Sequence, residues 1–321
     1  MMQALWLDRT LTYRTDCPLP VLSAGEAFIR LKLAGICATD LALLRGYAGF
    51  RGVLGHEFVG VVEAVHDDAH RAWLGRRVVG SINIGCQQCA TCLQDGPEHC
   101  LQRTVLGIRG RNGVFADYFT LPVANLHAVP DLVCDERAVF AEPLAAALRV
   151  PQQLQAFTVG EVAVLGPGRL GLLIAKVLAQ AGYRVTVLGR REASLRLPMT
   201  WGLATALIDQ ARDNAYDGVV DATGAPSGFA QALRIVRHQG VLVLKSTFPE
   251  PVALDMSKIV VAEIQVLGSR CGSIAEALTV LRQTDLPVQT LIDGRYGLQQ
   301  GLLAFEHASR QGVRKILLQP V

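Results

Sequence analysis

Apolar residues follow two different rhythms along this chain. In the first third they alternate with polar ones. The stretch Ala27-Phe28-Ile29-Arg30-Leu31-Lys32-Leu33-Ala34 predicts a half-buried strand, and the turn residues Cys17-Pro18-Leu19-Pro20 before it point to a β-rich start. Gly35-Ile36-Cys37-Ala38-Thr39-Asp40 leads into a short helical pattern, Leu41–Leu44, closed by Gly46. Residues 113–130 keep the β character. The Ala/Leu-rich tail of Ala138–Leu148 reads as a helix opened by Pro143.

From residue 160 the rhythm changes. Val162–Leu165 is an unbroken apolar run followed by Gly166-Pro167-Gly168-Arg169-Leu170-Gly171 and the apolar stretch 172–177, which predicts a buried parallel strand, a tight turn and a helix. Further strands are expected at Val185–Leu188, Val219–Asp221, Val241–Leu244 and Ile264–Leu267, with helical patterns between several of them. That alternation implies a doubly wound parallel sheet. The stretch between Ile208 and Val219 is too short and polar for a full crossover helix. After about Cys271 come a helix (Ile274–Leu281), a strand (Thr290–Asp293), a helix (Leu298–Ala308) and a closing strand (Arg314–Leu318). These are expected to return to the first domain, so residues 1–141 and 271–321 flank a nucleotide domain at 142–270.

Length agrees with two domains, since 321 residues exceed the roughly 250–300 that one core serves. Half the residues are hydrophobic, which supplies both cores. A net charge of +3 argues against nucleic acid or an acidic membrane surface as a partner. No basic leader with a cleavage site opens the chain, and no apolar stretch approaches the ~18 residues of a membrane span. A reducing, cytoplasmic setting is the expectation, and there clustered cysteines read as metal ligands rather than disulfides.

The cluster is Cys86, Cys89, Cys92 and Cys100, spaced C-x2-C-x2-C-x7-C. Four thiolates on one short loop can close a tetrahedron around Zn²⁺; the spacing of bacterial iron–sulfur ligands is different at the fourth cysteine. Such a zinc has no open position and holds a loop without doing chemistry. Cys17, Cys134 and Cys271 have no ligand spacing and read as ordinary thiols. In the glycine motif, Gly166 makes the turn, Gly168 admits a pyrophosphate and Gly171 lets the helix pack close, with the helix N-terminus facing the phosphate charge. The second strand of this domain ends in Gly189-Arg190-Arg191, where NAD enzymes carry an acid for the ribose 2′-hydroxyl. Glycine removes that charge, and Arg190 or Arg191 is suited to a 2′-phosphate, so NADP(H) is favoured over NAD(H). Read singly, Cys37 is a small hydrophobe, His56 a strand-start histidine and Glu142 a helix-capping acid or a functional one.

Together these residues resemble the zinc-dependent medium-chain alcohol/polyol dehydrogenases, the group that includes sorbitol and threonine dehydrogenases. The matching segments are residues 35–40, Gly55-His56-Glu57-Phe58-Val59-Gly60, the four-cysteine lobe, Glu142-Pro143-Leu144, the glycine motif, Asp221-Ala222-Thr223-Gly224 and Val313-Arg314-Lys315-Ile316-Leu317-Leu318. The resemblance implies an α/β chain: a GroES-like β-rich catalytic domain plus a Rossmann domain. It implies two zincs per chain, one structural and one catalytic. Cys37 and His56 would ligate the catalytic ion, Glu57 and Glu142 would supply or exchange at the remaining protein position, and Thr39 would relay the substrate proton. Cofactor contacts would come from Gly166, Gly168, Arg169, Leu170, Gly171, Gly189, Arg190, Arg191 and Thr223. The substrate would be an alcohol, a polyol or its carbonyl, and the assembly a homodimer, through the strand near Ile264–Leu267. One position departs from the pattern. Ala42 stands where family members often carry a proton-exit histidine, so either water replaces it, or another group such as Asp40 serves, or the natural reaction tolerates slow proton exit. A pathway-specific NAD-dependent sugar or cyclitol dehydrogenase and a non-catalytic nucleotide- and zinc-binding sensor are the alternatives.

Overall fold

In a computed structural model, which describes residues 1–94, 96–247, 251 and 254–320, the chain divides into two compact units. One is Met1–Glu142 with Ile274–Val321, the other Pro143–Ser273.

The first unit is built on the strand Glu26–Gly35. Its side chains alternate as the sequence does, with Ala27, Ile29, Leu31 and Leu33 buried and the residues between them half exposed. It pairs antiparallel with Glu57–Val65, Tyr118–Pro122 and the C-terminal strand Lys315–Gln319. The last of these contacts explains the discontinuity. Leu298, Phe305, Ile316 and Leu318, from the chain's end, are buried in one core with Leu5, Ile29, Leu54 and Phe115 from its beginning. Phe115 and Phe305 meet edge to face at 5.9 Å.

Several elements differ locally from their sequence expectation. Residues 113–130 form two short strands, Tyr118–Pro122 and Leu126–Ala128, split by a 3-10 turn Val123–Asn125. Val114–Ala116 runs irregularly but stays paired, Phe115 accepting from Leu5 N and donating to Leu54 O. The strand expected at Thr290–Asp293 begins later, at Ile292–Gly297, because a 3-10 turn occupies Val288–Leu291. The helix expected from Leu298 starts at Gly301 after another such turn.

The second unit is a six-stranded, wholly parallel sheet, two of whose edge-to-centre pairings flank Glu161–Leu165: Arg184–Gly189 on one side and Tyr216–Asp221 on the other. The chain therefore reverses direction across the sheet beside its first strand, which is where doubly wound folds bind nucleotides. Val162–Leu165 is at most 2% exposed, as expected for a strand covered on both faces. The sequence reading missed one strand, the outermost Ala204–Leu207. Short, small and half exposed, it lacks the apolar run of its neighbours. Between it and Tyr216 the structure has only the 3-10 turn Ile208–Gln210 in place of a crossover helix.

Candidate metal centres and nucleotide site

Three strands of the first unit and one short helix position a cluster of metal-type side chains. Cys37 follows the strand Glu26–Gly35 and caps the helix Ala38–Leu44 with extended backbone, φ −96° and ψ 161°. Its N–H donates to Asp40 Oδ2 at 2.8 Å, which fixes the turn. His56 immediately precedes the next strand in the sheet, Glu57–Val65, and Glu57 sits in register opposite Gly35. The ligand atoms of Cys37, His56 and Glu57 lie within 4.8 Å of one another. His56, Glu57 and Asp40 are buried, while Cys37 and Thr39 are half exposed, so the cluster opens to solvent on the Cys37–Thr39 side. Thr39 Oγ1 is 3.7 Å from Cys37 Sγ. Glu142, half-buried in the first turn of the helix Ala141–Leu154, is outside the three-residue cluster.

The electrostatics of this cluster ask for a cation. Burial opposes a charge on His56, yet Asp40 and Cys37 outweigh it and hold its proton well above the usual histidine range. His56 Nδ1 lies 3.3 Å from Asp40 Oδ1, but neither atom has a well-directed hydrogen bond. Glu57 Oε1 is buried with no hydrogen-bond partner among the described residues, whereas Oε2 meets the Lys315 ammonium. An orphaned buried carboxylate oxygen beside a thiol and an imidazole of high proton affinity fits a Zn²⁺ ligand set, in which the metal takes the place of the protons. Asp40, fully buried and bonded through Oδ2 to the Cys37 amide, holds the turn that carries Cys37.

The four-cysteine lobe makes a second centre. All four sulfurs lie within 4.8 Å of one another, with Cys86 to Cys92 at 3.9 Å and Cys89 to Cys100 at 3.8 Å. A tetrahedron of ~2.3 Å zinc–sulfur bonds has edges of about 3.8 Å. Disulfides are excluded at these separations, and all eight cysteines are free. Backbone amides of Gln88 and Cys89 pull the Cys86 thiol down to about 6, and similar donors lower Cys100. Burial and the neighbouring sulfurs push Cys92 up to about 12. Four sulfurs this close cannot all carry charge without a cation among them.

In the second unit the glycines separate into two kinds. Gly166 has φ +95°, and a Cβ there would lie 2.7 Å from Ala222 O; at Gly171 it would lie 2.0 Å from Gly166 O. Both are therefore required by the protein's own packing. A Cβ at Gly168 would meet nothing within 4 Å. That open face lies at the N-cap of the helix Arg169–Gln180, where first-turn amides are free to meet an anion. Gly189 ends its strand against Ser194 and Leu195, each 2.9 Å from a Cβ built there, so packing as well as charge accounts for the glycine. Arg190 and Arg191 are exposed beyond it. Thr223 is held by buried Asp221, whose Oδ1 accepts from Thr223 N at 2.9 Å, from Thr223 Oγ1 at 2.8 Å and from Ser246 Oγ at 3.1 Å. Ser246 in turn accepts from Gly224 N. The roles of Asp221 and Ser246 as organisers of this loop are not legible in the sequence, since Ser246 lies 25 positions from Asp221 and stands in no local motif.

Comparisons with known proteins agree with both units. Residues 23–131 match the alcohol dehydrogenase GroES-like domain and residues 170–285 the zinc-binding dehydrogenase domain. L-threonine 3-dehydrogenase of Streptomyces avermitilis is 32% identical, covering 94% of each chain. A solved structure from Sinorhizobium meliloti 1021, described as a zinc-binding dehydrogenase bound to NADP, superposes with TM-score 0.90 at 25% identity over 100% of this chain and 99% of that one. RspB from E. coli CFT073, described as an alcohol dehydrogenase complexed with NADH, does so with TM-score 0.89 at 26% identity over 99% of both. With both family domains matched in order and a relative of this similarity spanning nearly its whole length, the chain belongs to the zinc-dependent medium-chain alcohol/polyol dehydrogenase family of oxidoreductases.

Proposed function

We propose that this chain is an NADP(H)-preferring zinc enzyme that interconverts an alcohol or polyol and its carbonyl. The observation that carries the reading is the Cys37–His56–Glu57 cluster, with a buried carboxylate oxygen that no group among the described residues satisfies. These three side chains would hold the catalytic ion and the four cysteines the structural one, with Glu142 an exchangeable carboxylate. When bound, zinc supplies a Lewis acid for the substrate oxygen and the nicotinamide supplies or accepts the hydride. The chain's own part is to fix the ligands and move the proton. Asp40 and the capped turn orient Cys37. Thr39, at the exposed side of the cluster, takes the hydroxyl proton of the substrate and passes it to water, which replaces the absent histidine at Ala42.

The nucleotide is held by the second unit. Gly166, Gly168 and Gly171 shape the turn, the first-turn amides of Arg169, Leu170 and Gly171 face the pyrophosphate, and Thr223 lies on the adjoining loop. Gly189 with exposed Arg190 and Arg191 supports a 2′-phosphate. The structural neighbours include one bound to NADP and one to NADH, so the preference rests on these residues. A cytoplasmic homodimer completes the proposal; eight free cysteines accord with a reducing compartment, and no helix among the described residues is long and apolar enough to cross a membrane.

Metal analysis with a cofactor-linked screen of alcohols, polyols and ketones tests this. Two zincs per chain and turnover, with higher kcat/KM for NADPH than NADH, are expected. An NADH preference overturns the cofactor assignment. One zinc and NADPH binding without turnover across the panel would favour a sensor.

A further inference from the structure

We propose that Lys315 is a positioning residue that competes with the bound cation for Glu57, so that the carboxylate engages the metal through one oxygen and a coordination position stays open for substrate. The inference rests on the reading of Cys37, His56 and Glu57 as a metal centre.

Lys315 and Glu57 are each 1% exposed, and the ammonium contacts Glu57 Oε2 and lies 3.4 Å from Ile36 O. A lysine this deep is rare unless paired, and as a stability device a buried ion pair is a poor choice, since apolar residues of similar volume often do as well. Its placement is more telling. Glu57, Gly35 and Leu317 lie side by side on three adjacent strands, and Lys315 begins the strand that carries Leu317. Its side chain crosses Gly35, where an added Cβ would lie 2.5 Å from Glu57 Oε2 and 3.2 Å from Lys315 Cδ. The ring of Phe140, its centroid 5.8 Å from Nζ, covers the ammonium. Strand register, a bare glycine and an aromatic face thus hold one positive charge behind a metal-type ligand.

That arrangement divides the carboxylate. Oε2 is committed to the ammonium and Oε1 is left for the cluster. A carboxylate shared in this way gives the metal one oxygen and only part of its charge. Freed from Lys315, it would offer both oxygens, bind more strongly and fill the position that substrate needs.

The test uses zinc-loaded enzyme mixed with excess chromogenic chelator, following zinc release alongside steady-state kinetics. The release phase that Cys37→Ser abolishes reports this centre and excludes the four-cysteine lobe. Lys315→Met is expected to slow that phase at least about tenfold, the lower end of what outer partners of metal ligands contribute, and to raise KM for the alcohol. A purely structural lysine would loosen the site and speed release. Unchanged or faster release overturns the proposal. Should Lys315→Met fail to fold, the neutral pair Glu57→Gln/Lys315→Met leaves no lone buried charge. It is expected to release zinc at the rate of Glu57→Gln alone, because Lys315 acts only through that carboxylate; a different rate overturns the proposal as well. If wild-type enzyme shows no phase sensitive to Cys37→Ser, the metal-centre reading itself fails, a result distinct from an unaltered phase in Lys315→Met.

Discussion

Thr39 is the residue on which the proposed proton path depends. With Cys37 it forms the half-exposed edge of a cluster in which His56, Glu57 and Asp40 are buried, and its Oγ1 lies 3.7 Å from Cys37 Sγ. Valine has nearly the same shape and lacks only the hydroxyl. Thr39→Val is therefore expected to keep both zincs and the melting temperature while lowering kcat at least about tenfold, the usual minimum for a general acid–base group. Rapid-quench or steady-state turnover with metal analysis of the same sample decides it, and an unchanged kcat removes Thr39 from the mechanism. The same residue scale shows what a sequence conceals. Cys37, His56 and Glu57 are legible because each stands in a short local motif. Lys315 is not, because its partner is 258 positions away and only the pairing of the chain's last strand with Glu26–Gly35 brings the two together. Gly35 reads as an ordinary strand end until the carboxylate packed against it is seen.

At the scale of elements, two polar devices hold what apolar packing does not. Asp217, on the strand Tyr216–Asp221, accepts from Gly160 N at 2.8 Å and Glu161 N at 2.9 Å through one oxygen and from Arg237 Nε at 2.7 Å through the other. It clamps the start of the glycine-motif strand to its neighbour. Burial alone would raise its pKa, but the two amides and Arg237 prevail and hold it at about 2, below the usual 3.8. A depressed carboxylate stabilises the fold above its unfolded value and loses that contribution as pH falls from about 4 to about 2. After discounting for its partial exposure, the clamp contributes about 1 kcal/mol. Asp217→Asn is expected to cost that amount in urea denaturation at pH 7, with the difference from wild type shrinking below pH 4; a constant difference down to pH 2 would refute it.

The second device is the cysteine lobe, whose helix Ala90–Gln94 and 3-10 turn Pro97–His99 contain no buried residue, so apolar packing contributes little to its order and a metal held by the four sulfurs would contribute much. Cys92→Ser is expected to lower zinc from two to one per chain, retain the phase sensitive to Cys37→Ser, and expose residues 86–100 to limited proteolysis. Retention of both zincs would exclude Cys92 as a ligand. Elements with a strong rhythm were legible from sequence: the alternating strand 26–35 and the continuous runs of the parallel sheet. Those that were not, Ala204–Leu207 and the 3-10 turns before Ile292 and Gly301, are short pieces whose conformation is set by what they adjoin rather than by their own pattern.

For the whole molecule, the remaining question is how the second unit ends its sheet. Gln265–Gly268 is the edge strand opposite Ala204–Leu207 and, among the described residues, pairs only with Val236–Leu244. An unprotected edge invites another strand, and soluble proteins usually blunt it with charge or proline. Here the edge carries Val266 at 38% exposure, and the helix just before it, Met256–Val261, shows Met256, Val260 and Val261 more than half exposed. An open edge with an exposed valine, following a helix with exposed apolar residues, suits a second copy of the same surface. Two identical strands related by a two-fold axis run antiparallel, so the pairing closes on itself and yields a dimer rather than a fibre. Static light scattering after size exclusion is therefore expected to give twice the chain mass of 34.6 kDa. Val261→Lys/Val266→Lys, which sets like charges against each other across the two-fold axis, is expected to return the mass to one chain at micromolar concentration with zinc content unaltered. A monomeric wild type, or a variant that stays dimeric, would move the association surface away from this edge and leave its exposed valines to another partner.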